Sequence, residues 1–384
     1  MPAALVAQFP WWALSDPVIT FAISLDRLGL APCIVGPKPL EFIARRFPGE
    51  EIFRRMPVHW SETADEIPVL LERALKGPGA NFAVFFDEKS FLAGAQAAAN
   101  LGARTYLYST EIPNPCQFDK AEITRAFEVT KARLVIQDID RLLGYTQATG
   151  VVPVDPVFLP NSCLPDASVS DVDYTLEPVT IHGINNDTDD WSRTLVLSGS
   201  IQAEHATLET VRAFLRCAAG SKSEWQLLVS GWGGAVLDEL RLLIRDQNNV
   251  ILNTNFMSGT QIRWVYSRCR AGVVSYSNSG YNHRYCGMAS GKLFWICRAG
   301  KPVVCNDNLS IQRLVDREGI GFNLMQAANL DALEVDEQRD GDTMSGRARA
   351  FFERTAMDAA AILKHMFAGN GANHPQRQIN EEGA

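Results

Sequence analysis

The stretch that decides the fold runs from Gly287 to Cys305 and reads GMASGKLFWICRAGKPVVC. Its pattern predicts a short loop, a helix with Ser290 as N-cap, a stop at Ala299–Gly300, and a buried strand in the apolar PVVC. Because the first amides of a helix lack intrahelical acceptors and carry partial positive charge, this start suits an anion, and Lys292 adds a full charge. The alternatives are a solvated lysine and a serine that only caps.

Strand-like runs alternate with helix-like segments in both halves of the chain. In the first half the runs are AALVAQF (3–9), APCIVG (31–36), NFAVFF (81–86), RTYLYS (104–109) and RLVIQD (133–138). In the second half they are RTLVLSGS (193–200), EWQLLVSG (224–231), NVILNTN (249–255), AGVVSYS (271–277) and KPVVC (301–305). Such alternation is typical of parallel strands covered on both faces. The sequence predicts an α/β protein with two doubly wound, Rossmann-like domains facing a cleft.

A polar stretch rich in Asp, Ser, Pro and Asn begins near residue 162 and separates the two series of strands. We therefore predict five segments: an N-terminal domain at 1–165, a linker at 166–192, a C-terminal domain at 193–340, a helical segment at 341–368 and a polar tail at 369–384.

The composition disfavours several classes of protein. The 384 residues carry a net charge of −8, whereas nucleic-acid binders usually have a basic surplus, so no nucleic-acid partner is expected. No apolar run is long enough to cross a bilayer, and the N-terminus lacks the pattern of a signal peptide. The eight cysteines form no CxxC pair, and we expect reduced thiols in a cytoplasmic protein.

The loops after the strands are the candidate site, because doubly wound domains bind ligands at the carboxyl ends of their strands. In the second half these loops are SGS (198–200), SGWGG (230–234), NTNFMSG (253–259) and YSNSGYNHRYCGMASGK (276–292). Their Gly, Ser and Asn content lets backbone N–H groups approach a ligand. Together with the helix start at Lys292, they predict a cradle for a diphosphate.

Four segments carry a family resemblance, in the expected order: RTLVLSGSI, WQLLVSGWGG, NVILNTNFMSGTQIRWVYSRCRAGVVSYS and SGKLFWICRAGKPVVC. They resemble the nucleotide-sugar-binding domain of GT-B glycosyltransferases, particularly the retaining group called family 4. The resemblance implies sugar transfer from a nucleoside-diphosphate sugar to a hydroxyl acceptor, with no metal and no cofactor beyond that donor substrate. The residues expected to bind the donor are Ser200, Gly231, Trp232, Asn255, Phe256, Asn282, Arg284, Ser290, Gly291 and Lys292.

The implied partners are a nucleotide-sugar donor on the second domain and a glycan or lipid-linked acceptor on the first, in polysaccharide or glycolipid synthesis. In the first domain Asp87 and Glu88 follow one strand and Glu111 follows another. We expect Asp87 and Glu111 to orient the acceptor hydroxyl as catalytic residues. The alternative for Asp87 is a helix cap.

Two departures from the family pattern concern the donor. Trp295 and Gly287 stand where the family commonly has glutamates that hold the ribose and the sugar. The loop SGSIQAEHATL lacks the family's pair of basic residues, so the diphosphate depends on Lys292, on helix amides and on Arg284. His283 lies in the same loop region, and a solvated loop histidine is its alternative interpretation.

Acidic triplets at Asp138–Asp140, Asp171–Asp173 and Asp187–Asp189 match the DxD form of metal-dependent transferases. Such short patterns arise by chance in an acidic chain, and an oxygen-ligand metal site needs several converging groups. No metal site is therefore expected.

The segment LEFIARRFPGEEIFRRM (40–56) combines arginines with aromatic residues. One interpretation is peripheral contact with an anionic membrane at the inner face, and the other is an ordinary solvated helix face.

Two rival functions remain open at this stage. A sugar-nucleotide-binding partner or scaffold of a transferase, without turnover, is favoured by Trp295 in place of glutamate. A sugar-nucleotide epimerase of the same fold would need clustered acids and histidines at the cleft, which the sequence lacks.

Overall fold

The computed structural model describes residues 1–39, 56–76, 81–114, 118–161, 176–184, 189–337 and 342–368. Its strands in the first half are β1 (Pro2–Val6), β2 (Ala31–Gly36), β3 (Val58–Trp60), β4 (Phe82–Phe85), β5 (Arg104–Tyr108), β6 (Arg133–Ile136) and β7 (Val157–Phe158). Its strands in the second half are β8 (Thr194–Ser198), β9 (Gln226–Ser230), β10 (Val250–Asn253), β11 (Ala271–Val274), β12 (Val303–Cys305) and β13 (Gly321–Asn323).

Helices connect these strands. In the first half they are α1 (Asp16–Arg27), α2 (Ile67–Ala74), α3 (Glu88–Asn100), α4 (Lys120–Thr130) and α5 (Ile139–Thr149). In the second half they are α6 (Thr207–Ala219), α7 (Ala235–Leu243), α8 (Gly259–Arg268), α9 (Gly280–Arg284), α10 (Gly291–Arg298), α11 (Leu309–Glu318), α12 (Asp331–Glu337) and α13 (Met344–Phe367).

The strands form two parallel sheets, in the orders β3-β2-β1-β4-β5-β6-β7 and β10-β9-β8-β11-β12-β13. The pairing is parallel throughout, as in β1 with β4 and β8 with β11. In each sheet the strand order reverses beside the first strand, and loops that diverge at such a point open a crevice for a ligand. The predicted pair of doubly wound, Rossmann-like domains is confirmed.

Burial on both faces explains why these runs are strands. Ala3, Ala4, Leu5 and Val6 of β1 are at most 1% exposed, although their side chains point alternately to opposite faces. A sheet covered on one face would tolerate polar residues at every second position. The predicted strand PVVC is present as β12, whose three residues are fully buried.

Helix α13 connects the two domains because it begins on the second and ends on the first. It packs against α10 and α1. At its end, Phe367 is 3% exposed and lies edge-on to Phe82 and Tyr106, with ring centroids 5.2 and 5.8 Å away. Tyr106 Oη donates a hydrogen bond of 2.8 Å to Met366 O. The first domain thus anchors the end of the C-terminal helix.

Several sequence-based predictions lie wholly or partly outside the described residues. These are the basic segment at 40–56 apart from Met56, the Asp171–Asp173 triplet, Cys116, Cys163, much of the linker and the tail at 369–384. Membrane contact, a cytoplasmic location and the domain boundaries stay predictions. In the described part of the chain, no helix has the length and apolarity needed to span a bilayer.

Replacing Phe367 by alanine tests the anchor of α13. Phe367→Ala removes a buried aromatic ring from the first domain's core, and we expect it to lower the free energy of unfolding by about 3–5 kcal/mol. Met357→Ala is the matched control, because Met357 is on the same helix and 67% exposed. Urea unfolding measures both, and equal small losses for the two variants would contradict the anchoring role.

Candidate functional site

The domains meet where α9 of the second domain lies against α5 of the first. Asn282 Oδ1 accepts a hydrogen bond from Ile112 N at 2.5 Å, and its Nδ2 donates to Ile112 O at 3.0 Å. The buried Arg141 donates to Asn282 Oδ1 at 3.1 Å and to Thr110 O at 2.7 Å. The side-chain amide of Asn282, predicted to bind the donor, is thus occupied by the first domain. These contacts hold the carboxyl ends of the two sheets face to face.

The loop that precedes α10 is fixed by the first domain. Met288 N donates to Asp138 Oδ2 at 3.1 Å, and Met288 O accepts from Asn161 N at 2.9 Å. Asn161 Nδ2 also donates to Ala289 O at 2.9 Å. Since Asp138 Oδ1 caps α5 by accepting from Arg141 N at 2.7 Å, both oxygens of this first DxD carboxylate already have protein donors.

Helix α10 begins with the cap that the sequence predicts. Ser290 is 2% exposed, and its Oγ accepts a hydrogen bond of 3.4 Å from Leu293 N. The same Oγ lies 3.1 Å from Tyr276 Oη. The amides of Gly291 and Lys292 belong to the same first turn and have no acceptor within the helix. Ser290 therefore binds the amide of Leu293. Among the described residues, the amides of Gly291 and Lys292 are available to a ligand.

The side chain of Lys292 runs to an enclosed position beside this turn. Its backbone end is half-buried, whereas its ammonium nitrogen is shielded from solvent and has no hydrogen-bond partner among the described residues. Nζ lies 4.8 Å from the centroid of the Tyr276 ring, and a Cβ added to Gly199 would lie 3.3 Å from it. Burial lowers the pKa of Lys292 to about 8. An enclosed cation without an anionic partner is costly, so this position suits an anionic ligand.

Two histidines lie near Lys292. His205 Nδ1 is 2.8 Å from Ser200 O, and the ring centroids of His205 and His283 are 5.8 Å apart. Burial, and next the charge of Lys292, lower the pKa of His205 to about 3. Burial also lowers the pKa of His283. Of these two histidines, only His283 was predicted from the sequence. The sequence feature that could have indicated His205 is its place in the first loop of the second domain.

The glycine loop after β9 is shaped by its neighbour. A Cβ on Gly231 would lie 1.7 Å from Gly199 O, and one on Gly233 would lie 2.1 Å from Ile201 O. Ile201 N also donates to Trp232 O at 2.8 Å. These two glycines are thus required by the close pairing of the loops after β8 and β9. Their pairing places Ser200 and Trp232 at the rim of the cleft.

Two aromatic rings, the exposed Trp232 and the half-buried Phe256, follow the ends of β9 and β10. Trp232 is 55% exposed, and its ring centroid is 5.7 Å from that of Phe256. Asn255, also exposed, has its backbone N–H bonded to Asn253 Oδ1 at 3.1 Å. Arg284, the last residue of α9, is exposed. The ring planes are tilted by 37°, so the exposed indole of Trp232 is the apolar face on which a base can stack.

Three carboxylates lie at the ends of β4 and β5. Asp87 caps α3 by accepting from Ser90 N at 2.7 Å and also accepts from Gln8 N at 2.8 Å. Glu88 is 5% exposed, accepts from Ser109 Oγ at 3.1 Å, and burial raises its pKa to about 8. Glu111 is exposed. The carboxyl with the most perturbed environment is Glu88, which the sequence analysis noted at the strand end but did not select.

Two cavities of the cleft share Asp87, Glu88 and Glu111. One of about 390 Å³ is also lined by Trp11 and Asp16 of the first domain. The other, of about 580 Å³, extends to α9 of the second domain. A group held by Glu88 or Glu111 can therefore be reached from both domains.

The positions of the two missing family glutamates have structural uses. Trp295 Nε1 donates to Asp16 Oδ2 at 3.1 Å, and the Arg263 guanidinium lies 5.3 Å from its ring. Gly287 is buried, and a Cβ there would lie 3.2 Å from Ser310 Oγ. Trp295 therefore joins the domains, and Gly287 has little space for a longer side chain. Within the described ranges, no cluster of three or more His, Cys, Asp or Glu side chains could hold a metal ion.

No protein-family model and no curated protein matches this chain. Several solved structures do match this chain. HepE from Anabaena in complex with UDP is 12% identical, with a TM-score of 0.66 over 95% of this chain and 98% of HepE. A glycosyltransferase from Rickettsia africae ESF-5 is 10% identical, with a TM-score of 0.65 over 95% of this chain and 98% of its own. WaaG, a glycosyltransferase involved in lipopolysaccharide biosynthesis, is 13% identical, with a TM-score of 0.53 over 94% of both chains.

At these identities the likeness concerns the fold. Each match spans both domains, and the neighbours are glycosyltransferases of the GT-B architecture. The chain has the GT-B fold, with two Rossmann-like domains that face each other across the cleft described above.

Proposed function

We propose that this chain is a glycosyltransferase that moves a sugar from a nucleoside-diphosphate sugar to a hydroxyl acceptor. The observation that carries the proposal is the enclosed Nζ of Lys292, which lies beside the first turn of α10. This nitrogen has no hydrogen-bond partner among the described residues. A diphosphate placed there would meet an ammonium group and two free helix amides at once. A neutral ligand would leave the charge of Lys292 without a partner.

The donor's base would lie on the exposed ring of Trp232, beside the half-buried ring of Phe256. HepE, of the same fold, was crystallised with UDP and with UDP-glucose. Together these observations favour a nucleotide sugar, with uridine as the first base to test. Ser200, Gly231 and Asn255 lie on the loops next to the rings and complete the proposed donor site.

The acceptor would bind in the cavity of about 390 Å³ on the first domain. Glu88 is the carboxyl best placed to orient its hydroxyl, because it is buried, is fixed by Ser109 and, unlike Asp87, does not cap a helix. Glu111 lies at the same junction and remains the sequence-predicted candidate. Asp87 already has two backbone donors, which favours its role as a helix cap.

The chemical step requires stabilisation of the diphosphate as it leaves. Its negative charge grows as the bond to the sugar breaks, and pre-oriented amides and an ammonium group stabilise such charge in an enclosed site. Closure by the contacts of Asn282 and Arg141 would keep water from the donor. We further propose a metal-independent, configuration-retaining reaction, in line with the family 4 resemblance. Activity in EDTA and the anomeric configuration of the product, read by proton NMR, test these two points.

Trp295 supports one alternative, a sugar-nucleotide-binding partner without turnover. Position 295 is a tryptophan, so it lacks the carboxylate that family 4 commonly has there. Its indole is hydrogen-bonded to Asp16. Binding of UDP-glucose without release of UDP across a panel of glycan and lipid-linked acceptors would favour this alternative. Release of UDP that depends on the acceptor would establish the enzyme, and the acceptor that works would test a role in polysaccharide or glycolipid synthesis.

Lys292→Met tests the proposed diphosphate site. Methionine fills similar space without the charge, and loss of a buried charge pair weakens binding by roughly 100-fold. Lys222→Met is the control, because Lys222 is exposed on the same domain. Calorimetric titration with UDP should show wild-type affinity for the control and a large loss for Lys292→Met. Equal affinities would remove Lys292 from the site.

The same variant tests the cost of the enclosed charge in the unliganded protein. The pKa of Lys292 is 10.5 in the unfolded chain and about 8 in the folded one, so the unfolded chain binds more protons between these values and stability rises with pH there. Below pH 8 the cost is fully present, up to about 3 kcal/mol. Lys292→Met should therefore be more stable than wild type at pH 7, and the difference should shrink toward pH 10. A variant less stable at pH 7 would contradict this.

Substitution of Glu88 tests the acceptor site. Glu88→Ala removes a buried hydrogen-bonding group, and we expect kcat/KM for the acceptor to fall roughly 10- to 100-fold. Glu88→Gln keeps a hydrogen-bonding group of the same size and should retain more activity. The Kd of UDP should be unchanged in both. If Glu111→Ala lowers kcat/KM and Glu88→Ala does not, the orienting role belongs to Glu111.

A further inference from the structure

Three nitrogen-bearing side chains surround the ring of Tyr276. Lys292 Nζ lies 4.8 Å from its centroid, and the centroids of the His205 and His283 rings lie 5.4 and 6.1 Å away. They come from three separate parts of the second domain: α10, the loop after β8, and α9. The proposed function uses Lys292 and leaves both histidines without a role.

The hydrogen bond of His205 fixes its tautomer. Its Nδ1 is 2.8 Å from Ser200 O, and a carbonyl oxygen can only accept, so Nδ1 carries a proton and donates it. In the neutral ring Nε2 then has a bare lone pair. A phosphate oxygen is also an acceptor, so neutral His205 has no hydrogen to offer it. Only the protonated ring, with a second N–H at Nε2, can bind a phosphate.

The surroundings keep His205 neutral while the site lacks an anion. Burial is the larger cause of its lowered pKa, and the charge of Lys292 is the next, with His283 adding a smaller effect. Hydrogen bonding to Ser200 acts in the opposite direction. The phenol of Tyr276 lies beside the same ring, and because burial raises its pKa it stays uncharged.

His283 has a different balance of charges. Burial lowers its pKa most, while Glu111 of the first domain and Glu204 raise it. Arg141 and Lys292 lower it further. Because carboxylates already face His283, a diphosphate would change its surroundings less than those of His205.

We propose that His205 is a second, proton-gated ligand of the diphosphate: the donor binds beside Lys292 and brings a proton to His205 Nε2. This inference rests on the proposed function, because it takes a diphosphate at the start of α10 as its premise. The bound diphosphate neutralises Lys292 and attracts the imidazolium, so the repulsion that disfavoured protonation becomes a net attraction. The proton comes from solvent, and no bond other than N–H is formed. His205 thereby supplies a positive charge in a loop, SGSIQAEHATL, that has no Arg or Lys.

UDP-glucose is the probe, because both of its phosphates are esterified and keep their charge between about pH 5 and pH 7. Any proton taken up in this range then comes to the protein. Calorimetric titration in two buffers of different ionisation enthalpy counts the protons. Wild type should take up close to one proton, and its affinity should rise as the pH falls, by up to about ten-fold per pH unit.

His205→Gln should abolish both effects, because an amide N–H can bind the phosphate without titrating. His182→Gln is the matched control: His182 is exposed and lies in the polar connection before the second domain, and it should behave as wild type. His283→Gln should also keep the proton uptake.

The outcomes separate this inference from the proposed function. Binding of UDP-glucose to wild type without proton uptake, or uptake that persists in His205→Gln, would overturn the role of His205 and leave the donor site standing. Uptake lost only in His283→Gln would likewise overturn it. No binding of UDP-glucose, UDP, GDP or ADP at any pH would overturn the donor site itself, and the inference with it.

Discussion

The proposed ligand site of the second domain depends on one unfavourable feature, the enclosed ammonium of Lys292. A folded chain without ligand gains nothing from a buried cation that has no partner among the described residues. Burial shifts its pKa down to about 8, yet at neutral pH the charge remains. The rest of the folded structure offsets the cost of this buried charge. An anion bound beside Lys292 would be attracted to the same charge. The ammonium that lowers the stability of the unliganded protein would therefore contribute to the binding of an anion.

The contacts that join the two domains also fix the loop at the start of α10. The loop before α10 is bonded to the first domain through Met288 and Ala289, and α9 is bonded to it through Asn282. The two elements flank the amides of Gly291 and Lys292. Opening the domains would release the loop that fixes where α10 begins. A ligand that binds these amides only when the loop is fixed would therefore favour the arrangement in which the domains are joined.

Much of the fold could be predicted from the sequence, because buried parallel strands and their helices leave continuous local patterns. The stretch from Gly287 to Cys305 gave the cap, the helix and the strand as the structure has them. The site was less accessible, because it depends on long-range contacts. Asn282 has the composition of a ligand-binding loop residue, but its amide is bonded to Ile112, 170 positions away. Asp87 and Glu88 are adjacent carboxylates, and the sequence does not record that one caps a helix while the other is buried against Ser109.

In the proposed donor site, positive charge reaches the first loop of the second domain from another element. The first loop of the second domain lacks the basic pair of the family it resembles, yet Lys292 reaches Gly199 of that same loop from α10. A comparison by sequence position records a loss of charge there, whereas the structure records an ammonium beside the loop. Because a diphosphate responds to the field at its oxygens and not to the element that supplies it, Lys292 can act on a diphosphate at that loop although it belongs to α10. Where sequence identity is this low, the positions of charged groups in the structure are a better guide to function than aligned motifs.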